Sequence, residues 1–527
     1  MTMVDVQNCT ILFLAWLASI ALFRTIWTKL KARAQLPPGP RPLPIIGNQH
    51  LLRPIAHQAL HKLSLNYGPL MCLFFGSKPC VVVSSPEMAQ EVLKTHETLF
   101  LNRPNIANID YLTYGSSDLT RAPYGPYWKF MKKICMSELL NGQTVEQFRP
   151  IRQEEVNRFL QQILSKAKAG ETFDVRTGIV RLTSNVISRM ALTHRSWFGN
   201  YKTDEMRQLV GEMNDLVGKG SLLDLIWFLK NLDLQGLRKR LKNARDQYNN
   251  VMEGIIKECE EVKRKRKESS NGNNPRKDVL ESLLDIYEDS SSEIKLTREN
   301  VKALIMNLLG AGTDSIAFAI EWAFSELINN PEVMEKARKE IDSVVGKTRI
   351  VEETDIPNLP YIQAIVKESL RLHPTGPLFS RESSEECTIK CYKIPAKTKL
   401  IVNIWSINRD PNHWENPLEF RPERFINEEW NEKKQFMDVR GQCFSLLPFG
   451  AGRRSCPGSF LALQVMMTTL GAMVQCFEWK VNGDGENETV DMEEAPGLSL
   501  KRVHPLICVP VARLSPIPLV CSQANPM

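Results

Sequence analysis

Towards its C-terminal end the chain reads Phe449-Gly450-Ala451-Gly452-Arg453-Arg454-Ser455-Cys456-Pro457-Gly458, one cysteine in a loop of glycines and arginines with an apolar segment directly behind it. Glycines let a backbone curl closely around a sulfur and aim amide N–H groups at it. The two arginines make the local field positive, which favours thiolate over thiol. Arg454 is also placed to neutralise an anionic group beside the sulfur. That grouping suits the axial thiolate of a haem iron, with Arg454 on a propionate. Taken alone, the loop also fits an ordinary turn around a buried free cysteine.

Three further groups have spacings that could carry chemistry. Gly310-Ala311-Gly312-Thr313-Asp314-Ser315 sits inside an apolar periodic run, and two glycines there point to a close approach or a local opening of a helix. A helix crossing would use the same glycines; a dinucleotide loop would not fit, because no strand leads into them. Glu368 and Arg371 are three apart on a helical stretch, so they share a face and can pair. His57 and His61 have a zinc-like spacing, but no glutamate follows His57 and no third ligand is evident, which favours an exposed helical face.

The elements that must position these groups are mostly helical. Periodic runs over Val156–Ala169, Asp246–Lys267 and Val301–Ile328 predict helices, and β-rich pieces at Met71–Phe75, Cys80–Ser84, Thr388–Tyr392, Lys399–Val402 and Leu506–Val509 predict a small β subdomain. The basic run Lys263–Lys267 reads as a solvated helix end, and with Ser269–Pro275 behind it the stretch predicts a solvated loop between helices. At 527 residues, 43% apolar and 24% charged, the chain can bury a large core. A net charge of +7 is modest for that length and argues against nucleic acid as a partner; a membrane surface or an acidic protein accounts for it equally well. Twelve cysteines without CxxC pairs or zinc spacings indicate free thiols in a reducing compartment.

Val6 to Phe23 carries no charge, and its length matches the ~27 Å of helix that a thin bilayer needs. Arg24, Lys29, Lys31, Arg33 and Arg41 follow it, whereas Asp5 alone precedes it, so the positive-inside rule keeps the rest of the chain cytosolic. A cleaved signal peptide would lack that basic stop. The proline-dense stretch Leu36–Pro44 reads as a stiff linker. The resulting division is a membrane anchor over 1–28, a basic and Pro-rich linker over 29–48 and a catalytic domain over 49–527. Asn8-Cys9-Thr10 is a glycosylation sequon too close to the bilayer to be used.

The cysteine loop resembles the pattern Phe-x-x-Gly-x-Arg-x-Cys-x-Gly of the cytochrome P-450 family, with Phe449, Gly452, Arg454, Cys456 and Gly458 filling every fixed position. The resemblance implies the P-450 fold, mainly α with a small β subdomain, and haem b as cofactor with Cys456 on the iron. It implies that Asp314 and Ser315 belong to the oxygen-binding groove and relay protons through water, although Ser315 and Ile316 stand where the family commonly has threonine and a second hydroxyl residue. Phe420-Arg421-Pro422-Glu423-Arg424-Phe425 resembles the family's partner segment, which makes Glu368, Arg371 and Arg424 one structural network. Trp128-Lys129-Phe130-Met131-Lys132 resembles the Trp-x-x-x-Arg helix, with Lys132 keeping the charge but losing the bidentate fork. Trp128 fits a haem contact and simple core packing equally. Arg381 matches a propionate ligand.

Tyr111–Gly115, Ala122–Lys133, Met136–Leu140 and Asn358–Tyr361 are similar to a plant microsomal group of A type that includes flavone synthase II, 2-hydroxyisoflavanone synthase, dihydroxypterocarpan 6a-monooxygenase and β-amyrin 24-hydroxylase. Arg381–Ser384 and Asn408–Trp414 lean towards the pterocarpan branch. This resemblance implies a monooxygenase of the endoplasmic reticulum membrane that hydroxylates an apolar flavonoid, isoflavonoid or pterocarpan. Its electrons would come from NADPH through a separate NADPH-cytochrome P-450 reductase, met by a basic face including Lys129, Lys133 and Arg453. A terpenoid hydroxylase, or a haem-thiolate isomerase or dehydratase needing no reductase, is the alternative. Substrate contacts are expected before Trp128, at Leu308–Ala311, at Thr375–Phe379 and near Leu498.

Overall fold

A computed structural model of the chain describes residues 35–192, 200–218, 236–268, 277–426, 438–481 and 489–518. The apolar segment 6–23 and the sequon at Asn8 lie outside them. The helices of ten or more residues run in the order α1 (Ala56–Tyr67), α2 (Pro126–Cys135), α3 (Arg149–Ala169), α4 (Val175–Ala191), α5 (Asn200–Gly218), α6 (Leu237–Glu268), α7 (Val279–Glu288), α8 (Arg298–Asn329), α9 (Pro331–Val344), α10 (Pro360–Leu372) and α11 (Ser459–Cys476). The three predicted helical runs lie inside α3, α6 and α8.

Helix α8 is the spine. A capping box opens it: Thr297 Oγ1 accepts the Asn300 N–H at 3.2 Å and Asn300 Oδ1 accepts the Thr297 N–H at 2.9 Å. Its stretches Val301–Met306 and Ala319–Leu327 are buried on all sides, so it shows little amphipathicity. Helix α11 is similarly enclosed over most of the length from Leu461 to Cys476. By length and composition α8 and α11 could each cross a membrane, but both run through the protein core.

The two glycines of α8 have a packing cause. A Cβ on Gly312 would lie 2.8 Å from Ile187 Cγ1 of α4, and one on Gly310 would lie 3.1 Å from Asn214 Oδ1 of α5. Thr183 of α4 also donates to the Thr313 carbonyl at 3.1 Å. Close approach is therefore what the glycines serve, and α8 stays helical through them without a local opening.

The main sheet has the order β1 (Leu70–Phe75), β2 (Lys78–Val83), β7 (Lys399–Asn403), β4 (Leu378–Glu382), with β2 and β7 parallel and the outer pairs antiparallel. Val81, Val83, Leu400 and Val402 face one apolar cluster, while Cys80, Val82 and Ile401 face another. Both faces are covered, which explains the unbroken apolar runs. A second sheet joins β3 (Phe173–Asp174), β11 (Ile507–Ala512) and β8 (Phe477–Val481), and β9 (Glu494–Ala495) pairs with β10 (Lys501–Arg502). The predicted strand Thr388–Tyr392 is instead a hairpin of β5 (Cys387–Ile389) and β6 (Tyr392–Ile394), turning at Lys390 with φ of 52°.

One surface expectation changes and another holds in part. His57 is buried, not exposed: its Nε2 lies 2.7 Å from Glu494 Oε2, while His61 Nδ1 lies 2.8 Å from Ser406 Oγ. Both imidazoles serve packing contacts that join α1 to distant parts of the chain. The basic run at Lys263 is the end of α6, as expected, with Arg264 and Lys265 exposed, but Lys263 pairs with Asp285 and Glu288 and Arg266 with Glu281 of α7. Residues 269–276 lie outside the described residues.

Glu368 and Arg371 of α10 are fully buried and joined by two hydrogen bonds of 2.7 and 2.8 Å. Arg424 Nε reaches the same carboxylate at 3.2 Å. The remaining donors of Arg371 go to the carbonyls of Asn408, Pro417 and Glu419, and those of Arg424 to Glu415 and Asn416. Asn408 then accepts the Leu447 N–H at 3.3 Å, just ahead of the cysteine loop. One carboxylate thus organises several backbone segments, as a buried ion pair can only when its spare donors are satisfied.

Arg371→Leu leaves Glu368 with half its partners and is expected to cost about 3–5 kcal/mol, read as a fall in the thermal unfolding midpoint and in the yield of folded protein. Gly312→Val drives a branched side chain into Ile187 and is expected to cost about 1–3 kcal/mol. Gly211→Ala, on a helix with open space around it, is the contrasting substitution and should leave the midpoint unchanged or raised.

Candidate active site

The cysteine loop is shaped by two left-handed glycines, Gly450 at φ of 68° and Gly452 at φ of 72°. Between them and Cys456 the backbone closes on itself, with the Cys456 N–H donating to the Phe449 carbonyl at 2.9 Å and the Ser455 N–H to Gly452 at 3.0 Å. Burial pushes the Cys456 thiol up, and the Gly458 N–H pulls it the other way. The shift of this thiol is set by burial and by that one N–H, with no arginine among its causes. Arg453 is exposed and its backbone N–H donates to Glu97, while the Arg454 guanidinium donates to the carbonyls of neighbouring segments. A metal bound to the sulfur would remove the thiol proton directly.

Cys456, Phe449 and Gly458 form one wall of a cavity of about 340 Å³. The cysteine keeps open surface although protein surrounds it deeply, because that surface belongs to the cavity. Ser315, Ala311, Gly312 and Leu308 of α8 also line it, and Thr375, Gly376, Leu378 and Phe379 supply a third side. Three of the four regions expected to touch substrate therefore meet here, since Leu119 and Thr120 supply the segment ahead of Trp128. Leu498 does not: it is 57% exposed and lies outside the cavity lining. Ser315 Oγ donates to the Ala311 carbonyl at 2.6 Å, which leaves its lone pairs available. Asp314 does not line the cavity. Its Oδ2 accepts from Asn214 Nδ2 at 3.0 Å, and burial, aided by the nearby Asp215 charge, raises its carboxyl above the ordinary value despite that bond.

Cations gather at the cavity. Arg454 donates to the carbonyls of Leu101 at 3.0 Å, Leu119 at 3.4 Å and Ala122 at 2.5 Å, and lies over the Trp128 ring. Lys132 Nζ donates to the Arg453 carbonyl at 2.6 Å and also lies over that ring. Trp128 itself is buried and gives its indole N–H to the Leu119 carbonyl at 3.0 Å, so it both lines the cavity and packs the core. Arg381 is different: its Nη1 is buried without a partner, and burial with the Arg454 charge lowers it to about 9. Arg103 likewise has a buried, unpartnered Nε.

Unpaired buried guanidinium groups are costly unless an anion meets them. A haem with its two carboxylates, its iron on the Cys456 sulfur, fits this set of donors. Arg103 and Arg381 have the free donors to hold the carboxylates, more so than Arg454, whose N–H groups are engaged with carbonyls. Sequence reading missed Arg103. Its one local signal is its place between the buried pair Phe100 and Leu101 and the extended-biased step before Pro104. Among the described residues no group of three His, Cys, Asp or Glu side chains could hold a metal ion, His57 and His61 included.

The Cytochrome P450 family model matches residues 37–509. The 3,9-dihydroxypterocarpan 6A-monooxygenase of Glycine max is 51% identical over 514 residues, covering 97% of this chain and 99% of that protein. The beta-amyrin 24-hydroxylase of Glycine max is 44% identical over 516 residues, covering 98% and 99%. A zebra fish cytochrome P450 solved with progesterone superimposes with a TM-score of 0.73 at 25% identity, covering 87% of this chain and 99% of that one. With the family model spanning most of its length and relatives aligned end to end, the chain belongs to the cytochrome P450 family, as a monooxygenase whose cofactor is haem on a cysteine thiolate.

Proposed function

We propose that this protein hydroxylates an apolar, polycyclic plant metabolite of the flavonoid, isoflavonoid or pterocarpan class. The observation that carries this reading is the cavity that the Cys456 loop and Ser315 line together around an otherwise apolar space. Haem, when bound, supplies the oxidising chemistry from dioxygen and two electrons. The chain's own part is to bind, orient and protonate. Arg103 and Arg381 hold the haem carboxylates. Leu308, Ala311 and Phe379 exclude water around the substrate and give it an apolar wall.

Ser315, its proton given to Ala311, accepts from water in the cavity. Asp314, next in the chain but outside the cavity lining and bonded to Asn214, is an acid whose carboxyl burial holds above the ordinary range; it supplies that water's proton through further water and not by direct contact. A protein that isomerises or dehydrates without consuming dioxygen has less use for such a pair. A pterocarpan-type substrate is favoured by the greater identity to the dihydroxypterocarpan monooxygenase; a triterpenoid is the second reading, supported by the likeness to the beta-amyrin hydroxylase.

Electrons come from NADPH through NADPH-cytochrome P450 reductase. Lys129, Lys133 and Arg453 are exposed on the side of the cysteine loop and suit an acidic partner. The uncharged segment 6–23 and the basic residues after it would hold the protein in the endoplasmic reticulum membrane with its catalytic domain in the cytosol.

In microsomes, product is expected only when NADPH and reductase are both present; equal product without them would contradict the hydroxylase reading. Asp314→Asn should lower product formed per NADPH consumed by about a hundredfold while leaving substrate affinity unchanged, measured as product and peroxide yields side by side.

A further inference from the structure

The cavity wall contributed by α8 is apolar at Leu308, Ala311 and Ile316, with one amide, Asn307, at its far end. Asn307 Nδ2 donates to Thr120 Oγ1 at 2.6 Å and to Asp118 Oδ2 at 3.2 Å. Asp118 is buried, and its other oxygen accepts the Arg121 N–H at 2.6 Å. Burial raises Asp118 to about 6, while the charges of Arg121, Arg103 and Arg454 favour its ionised form. The amide is oriented with Nδ2 towards Asp118 and Thr120, which uses both of its hydrogens.

Asn307 Oδ1 is then an acceptor with no donor among the described residues, on a residue that lines the cavity. Thr120, having accepted from Nδ2, keeps its own hydroxyl proton to donate, and it lines the same cavity. An acceptor and a donor held side by side complement a hydroxyl group, which needs one of each. Asn307 and Ser315 are eight residues apart on one helix, about 12 Å along its axis, comparable to a skeleton of three or four rings.

We infer that Asn307 and Thr120 form a hydrogen-bonding end of the cavity that selects substrates carrying a free phenolic hydroxyl, Asn307 Oδ1 accepting its proton and Thr120 donating to its oxygen. This rests on the hydroxylase reading and narrows it to phenols, with the opposite end of the ring system lying near Ser315. An ether or a hydrocarbon at that position would leave the Asn307 oxygen unpaired, which is where discrimination arises.

The test is a spectral titration of the haem-loaded protein, following displacement of the haem's water, with 3,9-dihydroxypterocarpan, a dihydroxyflavanone and a dihydroxyisoflavone, each beside its dimethyl ether. The protein should bind at least one phenol about tenfold or more tightly than its ether. Asn307→Leu and, independently, Thr120→Val should each abolish that preference by weakening the phenol and not the ether, in preparations whose carbon monoxide spectrum matches the parent protein. Equal affinity for phenol and ether, equal weakening of both by the variants, or no binding of any phenol would overturn the inference. The titration uses neither NADPH nor turnover, so a preference for phenols without NADPH-dependent product would sink the hydroxylase reading and leave this one standing.

Discussion

Burying positive charge without a protein counter-charge is the constraint on which this molecule's organisation turns. Arg103 and Arg381 each bring a buried, unpartnered nitrogen to one cavity, and Arg454 and Lys132 add two more cations at its edge. Asp118 is a nearby carboxylate, but it is shared with Arg121 and Asn307. Such a set is stable when an anion is held among it. The haem carboxylates would answer that need, and cofactor binding would then be linked to folding of this region.

The backbone around the cavity is tied together by the same side chains. Arg454 and Trp128 both grip the Leu119 carbonyl, Arg454 also holds Leu101 and Ala122, and Lys132 holds the cysteine loop at Arg453. On the other side Glu368, Arg371 and Arg424 lock the segments from Asn408 to Glu419, and Asn408 passes that order to Leu447. The cysteine is thus fixed from two directions, while α8 is pressed close by the absence of side chains at Gly310 and Gly312. Rigid placement of the sulfur and of Ser315 follows from interactions that touch neither.

Features with local causes were readable from the chain. The loop around Cys456 needs glycines at left-handed positions, α8 needs a capped and almost wholly apolar stretch, and Glu368 and Arg371 need only one helical turn between them. Features set by distant partners were not readable. His57 looked like an exposed helical residue because Glu494, its partner, is 437 positions away. The pairing of Lys263 and Arg266 within their exposed run was not readable because the acids that meet them lie on the next helix. Arg103 gave almost no sign, since what distinguishes it is burial beside Arg381 and Arg454. The hairpin at Lys390 was hidden because a turn through a lysine lacks the usual glycine or asparagine signal.

Every role assigned above depends on Cys456 carrying the haem iron as a thiolate. The carbon monoxide difference spectrum of the reduced protein, compared with that of Cys456→Ser, tests it most directly. The parent protein should show the thiolate band and the variant should lose it even where haem is retained; a variant that keeps that band would contradict the assignment.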